Sequence, residues 1–205
     1  MRISLIAALD RRGLIGDESG LPWHLPRDLK RFRAYTWGKP LIMGRRTFDL
    51  IGKPLPGRLS IVLSRSLELL PPAVRVARTL REGLSIAEEY LATTGGDEVM
   101  IIGGGKVYAE AIQRWDRLYL TLVEGQFAGN TYFPVHELLR QSWRPVGEPE
   151  AYSADEKNRH AHSFHILERA WEAERPSLQR ADPSSARALE ELDLSPILRR
   201  GTVGS

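Results

Sequence analysis

Short apolar runs alternate with segments of helical periodicity through Trp115, and this alternation constrains the fold more than any other feature. Arg2–Leu9, Pro40–Met43, Leu59–Leu63 and Glu98–Ile102 are strand-length and nearly continuous in apolar residues. Strands covered on both faces read this way. Val74–Ala77 is a shorter candidate strand. Between the runs lie a helix entered through Pro26, one opened by Gly44-Arg45-Arg46-Thr47 and running to about Ile51, one at Leu84–Leu91, and one from Lys106 to about Arg114. A proline is tolerated in a first helical turn because its missing N–H would have no partner there. Strands that alternate with helices need crossover connections, which predicts an α/β fold with a mostly parallel sheet between helical layers. Leu118–Val123 and Ser163–Leu167 read as further strands that need not be parallel.

Composition narrows the class. The 205 residues are 42% hydrophobic and 27% charged, a balance that can bury a core. Apolar runs stay far below the roughly 20 residues that cross a bilayer, and Asp10 ends the first run too early for a signal peptide. No membrane association is expected. The chain has no cysteine, which removes disulfides and thiolate chemistry and suits a reducing cytoplasm. His24 and His136 are isolated, and His160, His162 and His165 read as a solvated or half-buried strand, so no metal site is assigned. Of 29 basic residues, 24 are arginine. No long basic run or interleaved aromatic motif accompanies them, so nucleic acid is not expected, whereas arginine's planar fork suits small anions. From Ala170 onward the periodicity fades, apart from Ala186–Leu194. The predicted organisation is a body of residues 1–169 and an appendage of residues 170–205, flexible or partly helical.

Three segments carry the chemistry. Leu25, Leu29 and Phe32 form the apolar stripe of an amphipathic helix, and Asp28 falls on that stripe. A carboxylate so placed is either paired with a neighbouring donor or held in an apolar pocket to meet a polar ligand. Gly103-Gly104-Gly105 joins a strand to a helix. It allows a ligand close to the backbone, or simply makes a tight turn, and it is not the GxGxxG of common dinucleotide sites. Arginines stand beside hydroxyls in Gly44–Thr47 and in Leu63-Ser64-Arg65-Ser66. Several such junctions in one chain point to a multiply phosphorylated ligand, and a phosphorylated nicotinamide dinucleotide fits.

These residues, taken in order, resemble one known family. Leu14-Ile15-Gly16, Leu21-Pro22-Trp23, Asp28, Phe32 and Thr36 are similar to the motif of dihydrofolate reductase. So are Lys39–Thr47, Pro54–Arg58, Ile101–Tyr108 and Leu118–Thr121, and the resemblance spans about Arg2 to Arg169. An aspartate at 28 resembles the bacterial type. The resemblance implies a dihydrofolate reductase-like α/β fold: a central, mainly parallel, eight-stranded mixed sheet flanked by about four helices. The implied activity is NADPH-dependent reduction of 7,8-dihydrofolate to tetrahydrofolate, with hydride transfer to C6 and protonation of N5. That is an oxidoreductase of one-carbon metabolism, cytoplasmic, monomeric and a target of antifolate inhibitors.

The resemblance also implies roles by position. Asp28, Trp23, Leu21 and Tyr108 would serve catalysis, with Asp28 at the pterin N3 and 2-amino group. Ile6, Ala7, Leu29, Phe32, Ile51, Leu55 and Ile102 would line the substrate pocket, and Thr121 would support Asp28. Arg58, with Lys53 nearby, would take the substrate's carboxylates. Ala8, Ile15, Gly16, Gly20, Gly44, Arg45, Arg46, Thr47, Leu63, Ser64, Arg65 and Arg78 would contact NADPH. So would Gly103, Gly104, Gly105, Lys106, Val107 and Tyr108, with Arg45 and Arg65 at the 2′-phosphate and Arg46 as a further candidate there. Gly103-Gly104 would be a cis peptide, and the Gly13–Trp23 loop would close over the nicotinamide. Lys53 replaces a common arginine, Leu21 a methionine, and Asn130 stands where some relatives have aspartate. A related pyrimidine reductase of riboflavin synthesis lacks the Pro-Trp…Asp…Phe helix. A binding-only protein would not need Asp28, Trp23 and Arg58 together.

Overall fold

A computed structural model describes residues 1–66, 71 and 73–170. The elements begin with β1 (Arg2–Asp10), β2 (Leu14–Gly16), α1 (Pro26–Thr36), β3 (Pro40–Gly44), α2 (Arg45–Ile51), β4 (Leu59–Leu63), β5 (Val74–Ala77) and α3 (Leu80–Thr94). They continue with β6 (Glu98–Gly103), α4 (Gly105–Ala111), β7 (Arg117–Val123), β8 (Thr131–Tyr132), α5 (Val135–Leu139), β9 (Trp143–Pro145), β10 (Glu150–Tyr152) and β11 (His162–Arg169). The main sheet runs β10-β11-β7-β1-β6-β3-β4-β5, with β9 also paired to β11. From β7 to β5 every pairing is parallel, and β11 enters antiparallel to β7. The α/β expectation with eight strands in continuous order therefore holds. Five helices are present among the described residues, the short α5 being the addition. The reading of 171–205 lies outside the described residues.

Adjacent residues of the central strands serve opposite cores, which explains their unbroken apolar runs. Leu5, Ile42, Ile61 and Ile101 pack under α3 and α4 with Leu84, Ala87 and Ala111. Their neighbours Ile6, Leu41, Val62 and Met100 pack under α1 and α2 with Phe32, Tyr35 and Phe48. Helix α3 starts four residues earlier than the Leu84 boundary predicted. Thr79 Oγ1 accepts the Glu82 N–H at 3.1 Å, and the Glu82 carboxylate accepts the Arg78 N–H at 2.7 Å. This near capping box nucleates a turn that apolar spacing alone does not report.

The histidine triplet differs from expectation. His162 and His165 are buried, at 2% and 5% exposure. His165 Nε2 lies 2.8 Å from Ser163 Oγ, and burial holds its pKa down to about 4. Antiparallel pairing with β7, invisible to local sequence, puts both rings inside. The described residues contain no group of side chains suited to a metal, and no described helix is long and apolar enough to cross a membrane.

At the N-terminal end of the sheet Glu98 joins three elements. It accepts hydrogen bonds from Ser4 Oγ at 2.5 Å, Lys39 Nζ at 2.5 Å and Tyr119 Oη at 3.2 Å. Burial alone raises its pKa, but the donors reverse this and hold it below the ordinary 4.5. At neutral pH Glu98→Gln is expected to cost about 2 kcal/mol in urea unfolding, because Lys39 loses its counter-charge. A depressed folded pKa gives stability that is present above the unfolded value and lost as pH falls through the folded one. The difference between parent and variant should therefore shrink below the ordinary glutamate range; an unchanged difference in acid would refute the assignment.

Candidate active site

The cleft forms where two parallel strands part. β1 pairs with β6 only from Arg2↔Glu98 to Leu5↔Ile101, whereas its pairing with β7 continues to Asp10↔Val123. On the other side of β6, the register with β3 slips between Ile42 and Met43. Tyr108 spans the gap, its buried hydroxyl donating to the Ile6 carbonyl at 2.6 Å. Burial, with the nearby Asp28 charge, pushes the Tyr108 pKa far up, so the hydroxyl stays protonated. The cavity that opens at these strand ends measures about 1500 Å³. That exceeds the roughly 300–1,000 Å³ of a single small-ligand pocket, leaving room for two molecules side by side.

One lobe centres on Asp28. Its helix begins at Leu25 with no side-chain cap of its own and Pro26 in the first turn. Asn158 supplies the missing acceptor, taking the Arg27 N–H at 3.0 Å. Asp28 sits in the first turn, where the helix dipole favours a carboxylate. It accepts a hydrogen bond from Thr121 Oγ1 on β7 at 2.5 Å. Burial raises its pKa; the Thr121 bond and the charges of Arg31 and His162 oppose that rise without cancelling it. Ile6, Phe32, Ile51, Leu55 and Phe164 give this lobe apolar walls. Trp23 is buried, its ring edge-on to Phe127 at 4.9 Å, and its indole N–H has no acceptor on the protein. Leu29, given a place in the substrate pocket by the resemblance, lines the cavity. It is 49% exposed at the mouth, whereas Phe32 and Tyr35 of the same helix pack on the sheet.

The other lobe is built from glycines and arginines. Gly103–Gly104 is a cis peptide. A side chain at Gly105 would meet the Tyr132 carbonyl at 2.8 Å, so that glycine also serves packing between α4 and β8. Arg46, Arg65 and Arg78 are exposed around this lobe, while Arg45 Nε donates to Asp49 at 2.8 Å. The Gly13–Trp23 loop is tied at its base by Asp10, which is fully buried and accepts the N–H groups of Arg12 and Leu14 at 2.8 and 3.0 Å. Arg12 in turn donates to the Phe127 carbonyl. Asn130 reaches the loop through its backbone, its N–H donating to the Gly16 carbonyl at 3.3 Å, while its side chain accepts from Thr131.

Apart from Lys53, every residue assigned a role from the sequence lines this one cavity. Lys53 is exposed beyond the helix end at Gly52 and is outside the lining. Arg58 lines the mouth with its orientation fixed, Nη1 donating to Thr36 Oγ1 at 3.0 Å and Nε to the Pro56 carbonyl at 3.1 Å. Arg31, Arg33 and Phe164 also line the cavity and were not assigned. Arg31 could have been found from its place three residues after Asp28 on one helical face. Phe164 could not, because only the pairing of β11 with β7 sets it opposite Thr121.

Fold and cleft together define an α/β protein with a cavity at its strand ends roomy enough for two small molecules. The sequence model described as dihydrofolate reductase matches residues 2–169. The chain is 47% identical over 169 residues to dihydrofolate reductase type 3 of Salmonella typhimurium, covering 82% of this chain and 99% of that one. It is 40% identical, over the same shares, to dihydrofolate reductase of Haemophilus influenzae. A solved Enterococcus faecalis dihydrofolate reductase, complexed with NADP(H) and RAB-propyl, superposes with a TM-score of 0.73 at 35% identity, covering 83% of this chain and 97% of that one. The chain belongs to the dihydrofolate reductase family, and its activity is NADPH-dependent reduction of dihydrofolate.

Removing the Thr121 hydroxyl should release one of the forces that oppose burial at Asp28. In Thr121→Val the Asp28 carboxyl is expected to titrate at higher pH than in the parent, read by NMR of the labelled carboxyl. An unmoved titration would mean that the bond does not reach the carboxylate in solution.

Proposed function

We propose that Asp28 binds the pterin ring and promotes proton delivery to N5, with the remaining cavity residues holding substrate and cofactor around it. The observation that carries this reading is a largely buried carboxylate, bonded to one hydroxyl, at the apolar end of a cleft with room for two ligands. A carboxylate can accept from N3 and the 2-amino group together, a planar pairing that favours the ionised form, while burial favours the protonated one. The opposition matters, because the group has to bind as an anion and yet tolerate a proton close by. Trp23, with an N–H free of protein partners, is placed to hold a polar atom beside Asp28.

NADPH, when bound, supplies the hydride for C6. The residues present fit such a group: Gly44, Gly103 and Gly104 leave a backbone-lined path, and the arginines gather at its far end. In this reading Arg45 and Arg65 hold the 2′-phosphate, Tyr108 fixes the Ile6 carbonyl between the lobes, and the loop carrying Leu21 closes over the nicotinamide and excludes water. Arg58 takes a substrate carboxylate at the mouth. Antifolates would occupy the Asp28 lobe. One chain supplies the whole cavity, which fits a monomer, and the lack of cysteine suits a reducing cytoplasm. Residues 1–169 form the catalytic body and 170–205 an appendage, a division supported by a family match that ends at 169.

Turnover is followed by loss of reduced-nicotinamide absorbance with dihydrofolate, using the full chain and a chain ending at Ala170, which are expected to agree within a few-fold. Asp28→Asn should lower the rate at neutral pH about 10²-fold or more, the size of a lost proton-transfer group. Retention of most activity would overturn the role of Asp28. Arg45→Ala should raise KM for NADPH far more than for NADH. Equal losses with the two cofactors would move the 2′-phosphate elsewhere.

A further inference from the structure

Groups from four elements act on Asp28: Arg31 on its own helix, Thr121 on β7, His162 on β11 and Tyr108 on α4. Tyr108 is uncharged. His162 is buried, with Nδ1 3.0 Å from the His160 carbonyl and its ring stacked on Tyr152 at 5.4 Å. Arg31 is the permanent charge among them. It follows Asp28 by three residues, so both lie on one helical face, and both line the cavity.

The guanidinium is held firmly. Nη2 donates to the Glu150 carboxylate at 2.5 Å and to the Tyr152 hydroxyl at 3.1 Å, both on β10. The guanidinium carbon lies 4.1 Å above the Phe164 ring and 5.4 Å from the Tyr152 ring. The side chain is 11% exposed, against 51% for Glu150, and Nη1 is buried with no protein partner. A positive charge is thus fixed about one helical turn beyond the carboxylate, in a partly desolvated place where charges interact more strongly than in water.

We propose that Arg31 is a positioning residue that acts through Asp28, its fixed charge setting the pH range over which hydride transfer runs. Resting on the role given to Asp28 above, the proposal concerns where the proton goes. A positive charge here opposes a proton on the carboxylate and on the heterocycle nitrogen beside it. Glu150 offsets part of that charge from the far side. The direction agrees with the effect of Arg31 on Asp28, which counters burial.

The test is single-turnover hydride transfer in the full chain with NADPH and dihydrofolate, from mildly acidic to alkaline pH. Arg31→Gln should raise the rate on the alkaline limb about fivefold and leave the acid limb unchanged, the size expected of one charge a helical turn away. Arg31→Lys keeps the charge and should stay within about twofold of the parent throughout. Glu150→Gln should displace the alkaline limb the opposite way, which a purely structural role would not do. It also serves as the deciding variant if Arg31→Gln melts at a much lower temperature. Profiles of Arg31→Gln that superimpose on the parent's, a lysine variant displaced as far as the glutamine one, or a loss equal at every pH would each overturn the proposal while leaving Asp28 in place. A parent that shows no turnover would instead remove the role of Asp28, and the proposal with it.

Discussion

A carboxylate drawn out of water must be met by a donor or give up its charge, and the bond from Thr121 to Asp28 is where this protein meets that demand. The bond joins the first turn of α1 to the middle of β7, and everything around it fixes that span. Asn158 closes the uncapped start of α1, and Phe32 and Tyr35 seat the helix on the sheet. If α1 turned on its axis, the carboxylate would reach solvent and the cleft would lose its one acidic group at the apolar end.

Stability and chemistry occupy opposite ends of the same strands. At the N-terminal end Glu98 gathers Ser4, Lys39 and Tyr119 into a closed hydrogen-bonded set. At the C-terminal end β1 and β6 part, and the cavity opens between them. Parallel sheets favour this division, because their crossovers leave the strand ends open on one side. Tyr108 prevents the parting strands from simply collapsing, since its hydroxyl satisfies the Ile6 carbonyl that the missing ladder would leave bare.

The elements themselves were largely legible. Continuous apolar runs marked β1, β3, β4 and β6 because both faces of each are covered, and the Asp28 stripe marked α1. Boundaries were less so. Helix α3 reaches back to Leu80 through the Thr79–Glu82 cap, and α4 stops at Ala111. The burial of His162 and His165 was not legible, because exposure depends on what lies opposite, and for β11 that is the interior of the sheet. Ordered motifs carried most of the site, with Lys53 falling outside it because the chain turns away at Gly52.

Sequence alone named the candidates for the chemistry and roughly which elements carry them, since helical spacing and glycine placement are local properties. Tertiary structure decided which of them meet. The antiparallel return of β11 and β10 brings Phe164 and Glu150 to Arg31 and His162 to Asp28, all more than a hundred positions earlier, and no local pattern encodes that register. The charge environment of Asp28 is therefore a property of the folded sheet, because electrostatic influence depends on distance through space and on the water excluded between groups.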